Sequence, residues 1–165
     1  MQKNNKFKTI LLNFEEIIAG IFLIITTLLV VINVIFRYFL KTGIFWTDEV
    51  ATGCFVWAVF IGASAAYKRN QHLGVDFIVD SLPDKYGTIV TTVINVLLAI
   101  VNGYLSYLSI VYLLNSYTKP TPVLEISSAY ISSALTVSFV LMTIRSIVSL
   151  YEDATNIANE EKGEV

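Results

Sequence analysis

Four long stretches of this chain carry no charged side chain, and they limit the folds open to it more than any other feature. Ile17 to Phe36 is uncharged for 20 residues, Val50 to Tyr67 for 18, Tyr86 to Thr118 for 33 and Ile126 to Ile144 for 19. A bilayer core about 30 Å thick is crossed by about 20 helical residues at a rise of about 1.5 Å each. Inside lipid the backbone must satisfy its own hydrogen bonds, so apolar runs of this length become helices. Only 15% of the residues are charged and the mean hydropathy is +0.68. A soluble domain of 165 residues would need more charge to cover its surface.

The runs predict an all-α membrane protein: one membrane domain of four transmembrane helices. Their expected spans are about 17–36, 50–67, 88–115 and 126–148, followed by a polar tail over 152–165 that frays. The third run exceeds one bilayer thickness, so its helix is expected to tilt or protrude. The cationic residues set the orientation. With the N-terminus inside, the cytoplasmic segments hold Lys3, Lys6, Lys8, Lys68, Arg69, Lys85, Arg145 and Lys162, and the outer loops hold Arg37, Lys41 and Lys119. That asymmetry favours both termini in the cytoplasm. The basic start resembles a signal-peptide n-region, but the apolar run after it is too long and lacks a cleavage motif. It reads as a retained first helix that also directs insertion.

The connections carry their own chemistry. Gly43 is expected to break the chain after the first helix. Trp46 suits the headgroup belt. Thr47 is placed to cap the second helix, which sets Asp48 and Glu49 in its first turn, where the helix dipole favours negative charge. Pro120 and Pro122 are expected to hold the second outer loop extended. Between the second and third helices, His72, Asp76, Asp80 and Asp84 recur every fourth residue, with Leu73, Phe77, Ile78 and Leu82 on the other side. This predicts a short amphipathic helix lying in the membrane interface.

Catalysis or ion conduction within a membrane normally leaves ionisable groups at mid-bilayer. Here Arg37, Glu49, Lys68, Glu125 and Arg145 all fall at expected helix ends. No zinc-ligand spacing, nucleophile–base set or phosphate-binding loop occurs in the sequence. His72 and Asp76 have the spacing of a metal pair, but a solvated polar face explains them equally well. No enzyme activity, cofactor or metal is expected. The basic residues form no stripe, so no nucleic-acid partner is expected. The single Cys54 lies in an apolar run and reads as a small buried side chain.

The spans do carry packing chemistry. Helices in lipid associate through small residues and interhelical hydrogen bonds. The second span has Ala58, Gly62 and Ala66, and the fourth has Ser128, Ser132 and Thr136. The third has Ala99 and Gly103, with Asn95, Asn102, Ser106 and Ser109 along one face. These stripes either close the four-helix domain or meet a partner subunit. In a rival reading, the Asn95–Asn102–Ser106 face lines a small self-assembling channel or exporter.

The order of signals through the first half is more specific. Asn33-Val34-Ile35-Phe36-Arg37-Tyr38 is followed by Trp46-Thr47-Asp48-Glu49 and Trp57. Then come Gly62-Ala63, Lys68-Arg69, His72-Leu73-Gly74-Val75-Asp76 and Leu82-Pro83. This succession resembles the small membrane subunit of tripartite ATP-independent periplasmic (TRAP) transporters, the DctQ-like family. It continues through Thr121-Pro122-Val123-Leu124-Glu125-Ile126. The chain departs from the family pattern at Ser127, where a proline is common, and it lacks the proline and glycine common further into the last helix.

The resemblance implies a bacterial inner-membrane subunit that accompanies a large permease subunit. The permease moves solute inward on a sodium gradient after a soluble periplasmic protein has captured it. The solutes of such systems are carboxylate-bearing, such as sialic acids and C4-dicarboxylates. The small subunit is then a scaffold that helps to hold the static part of an elevator-type carrier, anchored by Trp46, Trp57 and the interfacial helix. The candidate partner contacts are Arg37, Trp46, Asp48, Glu49, Trp57, Gly62, Asn95, Asn102 and Ser106. Arg37 is expected to pair with Asp48 or Glu49, or each to meet a partner chain, with headgroup anchoring and helix capping as the plainer roles. Lys68, Arg69, His72 and Asp76 are the candidates at the inner membrane boundary, where the basic pair suits lipid headgroups.

Overall fold

The computed structural model describes residues 13–69 and 84–163. Four α-helices follow one another: α1 (Phe14–Phe39), α2 (Phe45–Arg69), α3 (Asp84–Ser116) and α4 (Ala129–Gly163). Each is long and apolar enough to cross a membrane. The chain is thus an all-α membrane protein with four candidate spans, as the uncharged runs predicted. The expected interfacial helix, with His72 and Asp76, lies outside the described residues, as do Lys3, Lys6 and Lys8.

The helix ends differ from the sequence expectation in instructive ways. α1 stops at Phe39, with the Leu40 amide donating to the Phe36 carbonyl, and Lys41 then turns left-handed at φ 52°. The break therefore comes at Lys41 and not at Gly43, which has no positive φ. α2 begins at Phe45, so Thr47 is its third residue and cannot be its cap. The Thr47 hydroxyl donates back to the Ile44 carbonyl. Asp48 keeps its place in the first turn, and Glu49 falls one residue later.

The connection between α3 and α4 is not an extended strap. It doubles back so that Pro120 pairs with Ser127 in an antiparallel bridge. The Thr121 amide donates to the Ile126 carbonyl at 2.7 Å and the Ser128 amide to the Lys119 carbonyl at 2.8 Å. The reversal passes through Glu125, left-handed at φ 54°. Ile126 to Ser128 therefore belong to the loop, and α4 starts at Ala129 rather than at 126. Ser127 fastens the junction: its hydroxyl donates to the Tyr117 carbonyl and accepts from the Ala129 amide. A proline there would offer no hydroxyl for either bond.

α4 then continues past the expected span to Gly163, through a polar segment free of proline. Arg145, expected at a helix end, is the seventeenth residue of this 35-residue helix. Its neighbour Ser146 bonds Tyr67, which is third from the end of α2, so Arg145 still lies near the level where α2 ends. α3, at 33 residues, is about 50 Å long at the standard rise and outreaches the hydrocarbon core, as expected.

The described residues sort into two compact units. One is drawn from Met1–Ala65 and Ser109–Ser138, the other from Ala66–Leu108 and Phe139–Val165. Both bury polar and small side chains and expose large apolar ones, the reverse of a soluble protein. In the first unit, α2 buries Thr47, Ala51, Cys54, Ala58, Ile61 and Ala65, spaced alternately by four and three residues on one helix face. α1 turns almost all of its isoleucines, leucines and valines outward.

Candidate functional site

The polar chemistry of the first unit is concentrated where its two loops meet the start of α2. Asn33 is the one buried residue of α1. Its side-chain amide donates to a carboxylate oxygen of Asp48 at 2.6 Å, and its carbonyl oxygen accepts from the Ile44 amide at 3.2 Å. One asparagine thus ties the last turns of α1 to the loop and to the first turn of α2. Glu49 reaches the other loop: its Oε2 accepts from the backbone amides of Val123 at 2.9 Å and Leu124 at 3.3 Å. Hydrogen bonds to an ionised acceptor are about twice as strong as neutral ones.

The expected pairing of Arg37 with these acids is therefore not found. Asp48 is engaged by Asn33 and Glu49 by the 117–128 loop. Arg37 lies exposed in the last turn of α1, where its charge suits the helix dipole, and has no hydrogen-bond or ion-pair partner among the described residues. Asn33 is the residue that sequence reasoning passed over as a contact. The signal was present: it is the sole asparagine in the first uncharged run.

Two cavities open beside Glu49. One of about 560 Å³ is lined by Phe45, Asp48, Glu49, Thr52, Thr121 and Val123, among others. The other, of about 190 Å³, shares Glu49 and Thr121 and extends to Gly53 and Tyr130. The second oxygen of Glu49 and the Thr121 hydroxyl are both enclosed, and neither has a hydrogen-bond partner among the described residues. The hydroxyl faces the carboxylate, and a small rotation of the threonine lets it donate there.

The remaining candidates separate into interior and exterior. Trp57 is the thirteenth of the 25 residues of α2, too far from either end to be a boundary anchor. It stacks on Phe22 with ring centroids 5.8 Å apart and donates its indole N–H to the Tyr130 carbonyl at 3.2 Å. Trp46, in the first turn of α2, is 48% exposed. Gly62 lines a shallow groove of about 320 Å³ with Ala19, Gly20 and Ala58. Lys68 and Arg69 close α2.

In the second unit Asn95 and Asn102 face inward. Asn95 donates to Asp153 at 2.6 Å and Asn102 to Ser146 at 3.1 Å, while Tyr67 shares a 2.7 Å hydrogen bond with Ser146. Ser106 is buried on the same face of α3. Asn95 and Asn102 hold helix to helix, so these two positions of the face proposed for a channel lining or an outside partner are engaged within the chain. An Asn102→Leu variant is expected to lose about 1 kcal/mol, the usual scale for an interhelical hydrogen bond in lipid. Reversible unfolding in mixed micelles would measure it.

Four membrane-crossing helices with a hydrogen-bonded interior and an apolar exterior define a multi-pass membrane protein built to sit among lipids or other membrane chains. The family model for the DctQ component of tripartite ATP-independent periplasmic transporters matches residues 26–156. The chain belongs to that family. It is 29% identical over 144 residues to a TRAP transporter small permease protein of Haemophilus influenzae, covering 86% of this chain and 87% of that one. It is 38% identical over 71 residues to the C4-dicarboxylate TRAP transporter small permease protein DctQ of Vibrio cholerae, covering 43% of this chain and 31% of the relative. It is also 25% identical over 134 residues to the sialic acid TRAP transporter permease protein SiaT of Haemophilus influenzae, covering 81% of this chain but only 22% of the longer relative.

Proposed function

We propose that this chain is the non-catalytic scaffold subunit of a sodium-driven TRAP transporter that imports carboxylate-bearing solutes of the sialic acid or C4-dicarboxylate class. The observation that carries this reading is the family match across 26–156 on a chain whose polar interior is taken up by helix-to-helix contacts. A carrier needs ionisable or irregular backbone at mid-membrane. Here the described spans run as unbroken helices. The partner is a large permease subunit packed against the apolar exterior of this chain, with a periplasmic substrate-binding protein as the transient third component. The alignment of about four-fifths of the chain with under a quarter of a longer permease supports that pairing. The solute class rests on the names of two relatives and on the family resemblance.

In this reading both termini face the cytoplasm and the protein sits in the bacterial inner membrane, so that the 40–44 and 117–128 loops face the periplasm. Trp46 and the apolar faces of the helices hold the static part of the permease at a fixed depth while its mobile part carries the solute. Deleting this chain, with the large subunit still stably inserted, is expected to abolish sodium-driven uptake into proteoliposomes or cells. Uptake at the normal rate without this chain would refute the scaffold role.

A further inference from the structure

We propose that the outward face of α3 between Val93 and Tyr107 is where a membrane-spanning helix of the large permease subunit docks, accepting hydrogen bonds from Tyr104 and Tyr107. The inference rests on the scaffold reading above and assigns one helix face to it.

The two tyrosines carry the argument. They are 62% and 63% exposed, and neither hydroxyl has a hydrogen-bond partner among the described residues. Both lie at mid-membrane. The candidate span Val90–Ser116 has Gly103 as its middle residue, and the uncharged run from Tyr86 to Thr118 has Asn102. Tyr107 is only about 6 Å along the helix from that middle, in a hydrocarbon core that extends about 15 Å to either side. Helical side chains lean toward the N-terminus, so Tyr107 leans back toward the middle and away from the nearer surface.

Tyrosine in membrane helices normally sits in the interfacial belt, where its hydroxyl meets water. Tyr117, just past the end of α3, does so. A hydroxyl left unbonded in hydrocarbon is unfavourable. Small side chains escape by bonding their own helix: the exposed Thr27 of α1 donates to the Leu23 carbonyl at 2.9 Å. A phenol is held off the helix by its ring and has no such return. Lipid tails offer it no acceptor, whereas a neighbouring protein helix does. The outward face of α1, built of isoleucine, leucine and valine, suits lipid; this face of α3 suits protein.

Its geometry fits a helix. Val93, Leu97, Ile100, Tyr104 and Tyr107 are spaced alternately by four and three residues, the pattern by which two helices interlock, and all five are exposed. Asn95 and Asn102, on the opposite side, are buried and bonded to α4. α3 thus gives one face to its own chain and the other to an outside helix. The alignment of about four-fifths of this chain with under a quarter of the longer SiaT permease favours a larger permease chain as that neighbour over a second copy.

The test uses the full-length chain and the large permease subunit reconstituted together in nanodiscs. Tyr104→Phe/Tyr107→Phe removes two hydroxyls and leaves the rings. It is expected to weaken association about tenfold, the scale of two interhelical hydrogen bonds in lipid, and to leave the melting of the isolated small subunit unchanged. A benzophenone photo-crosslinker in place of Ile100 is expected to capture a membrane-spanning peptide of the permease. Wild-type affinity in the double variant would overturn this proposal and leave the scaffold role standing. So would adducts at Ile100 confined to lipid or to a second copy of this chain. A lowered melting point of the isolated double variant would place the acceptors within this chain and overturn it too. If the wild-type chain itself fails to bind the permease, the scaffold reading falls, and this contact with it. Should the double variant fail to fold, the Ile100 crosslink decides the matter.

Discussion

Replacing Asn33 with leucine is expected to destabilise the protein by about 2–3 kcal/mol, the scale for a hydrogen bond to a charged group whose partners are then left unmet. The asparagine bonds two groups across a loop, the Asp48 carboxylate and the Ile44 amide. Leucine keeps the approximate volume and supplies neither bond. The double variant Asn33→Leu/Asp48→Leu is expected to recover part of the loss, because removing both partners of a pair costs less than orphaning one. The single thiol makes the measurement simple. Cys54 is buried, and a maleimide dye that fluoresces on thiol attachment will report its exposure on heating. A melting point in Asn33→Leu equal to that of the wild type would show that the asparagine does not clasp α1 to α2.

The second large effect is expected at Trp57. Truncation to alanine removes the ring stacked on Phe22 and leaves the Tyr130 carbonyl without its indole donor. The loss should be about 2 kcal/mol, below the ~3–5 kcal/mol of aqueous cores, because lipid can enter the space without a water-transfer cost. Trp57→Phe keeps most of the stacking and forfeits the hydrogen bond, so it should cost about 1 kcal/mol. If the two variants melted together, the hydrogen bond alone would account for the effect. If Trp57→Phe matched the wild type, the stacking alone would.

The spans were legible in the sequence because bilayer thickness converts directly into a length of uncharged chain. The helix ends were not. Thr47 has the chemistry of a cap, but the helix begins two residues before it. The carbonyl of Ile44 takes the threonine hydroxyl, and Asn33 takes the Ile44 amide. Gly43 has the freedom to break a helix, but the left-handed turn falls on Lys41. The site was half legible. Asp48 and Glu49 stood out as charges beside a membrane, and opposite charge suggested Arg37 as their partner. The structure supplies neutral donors instead, one side-chain amide and two backbone amides. Those donors lie 15 and about 75 residues away and carry no charge pattern to reveal them. The Asn95–Asn102–Ser106 face was legible as packing chemistry that either closes the domain or meets a partner, and only the structure shows that α4 of the same chain receives Asn95 and Asn102.

The two carboxylate contacts at the start of α2 also differ in when they can form. The Asn33–Asp48 clasp joins residues 15 apart, so it is available as soon as α1 and α2 have left the ribosome. Closing so short a loop costs little entropy. The Glu49 contact needs a partner 74 residues downstream and must wait until α3 has entered the bilayer and the following loop has emerged. Biogenesis is thus expected to proceed as an early hairpin that shelters its own polar groups, with Glu49 held open until the second pair of helices arrives to receive it.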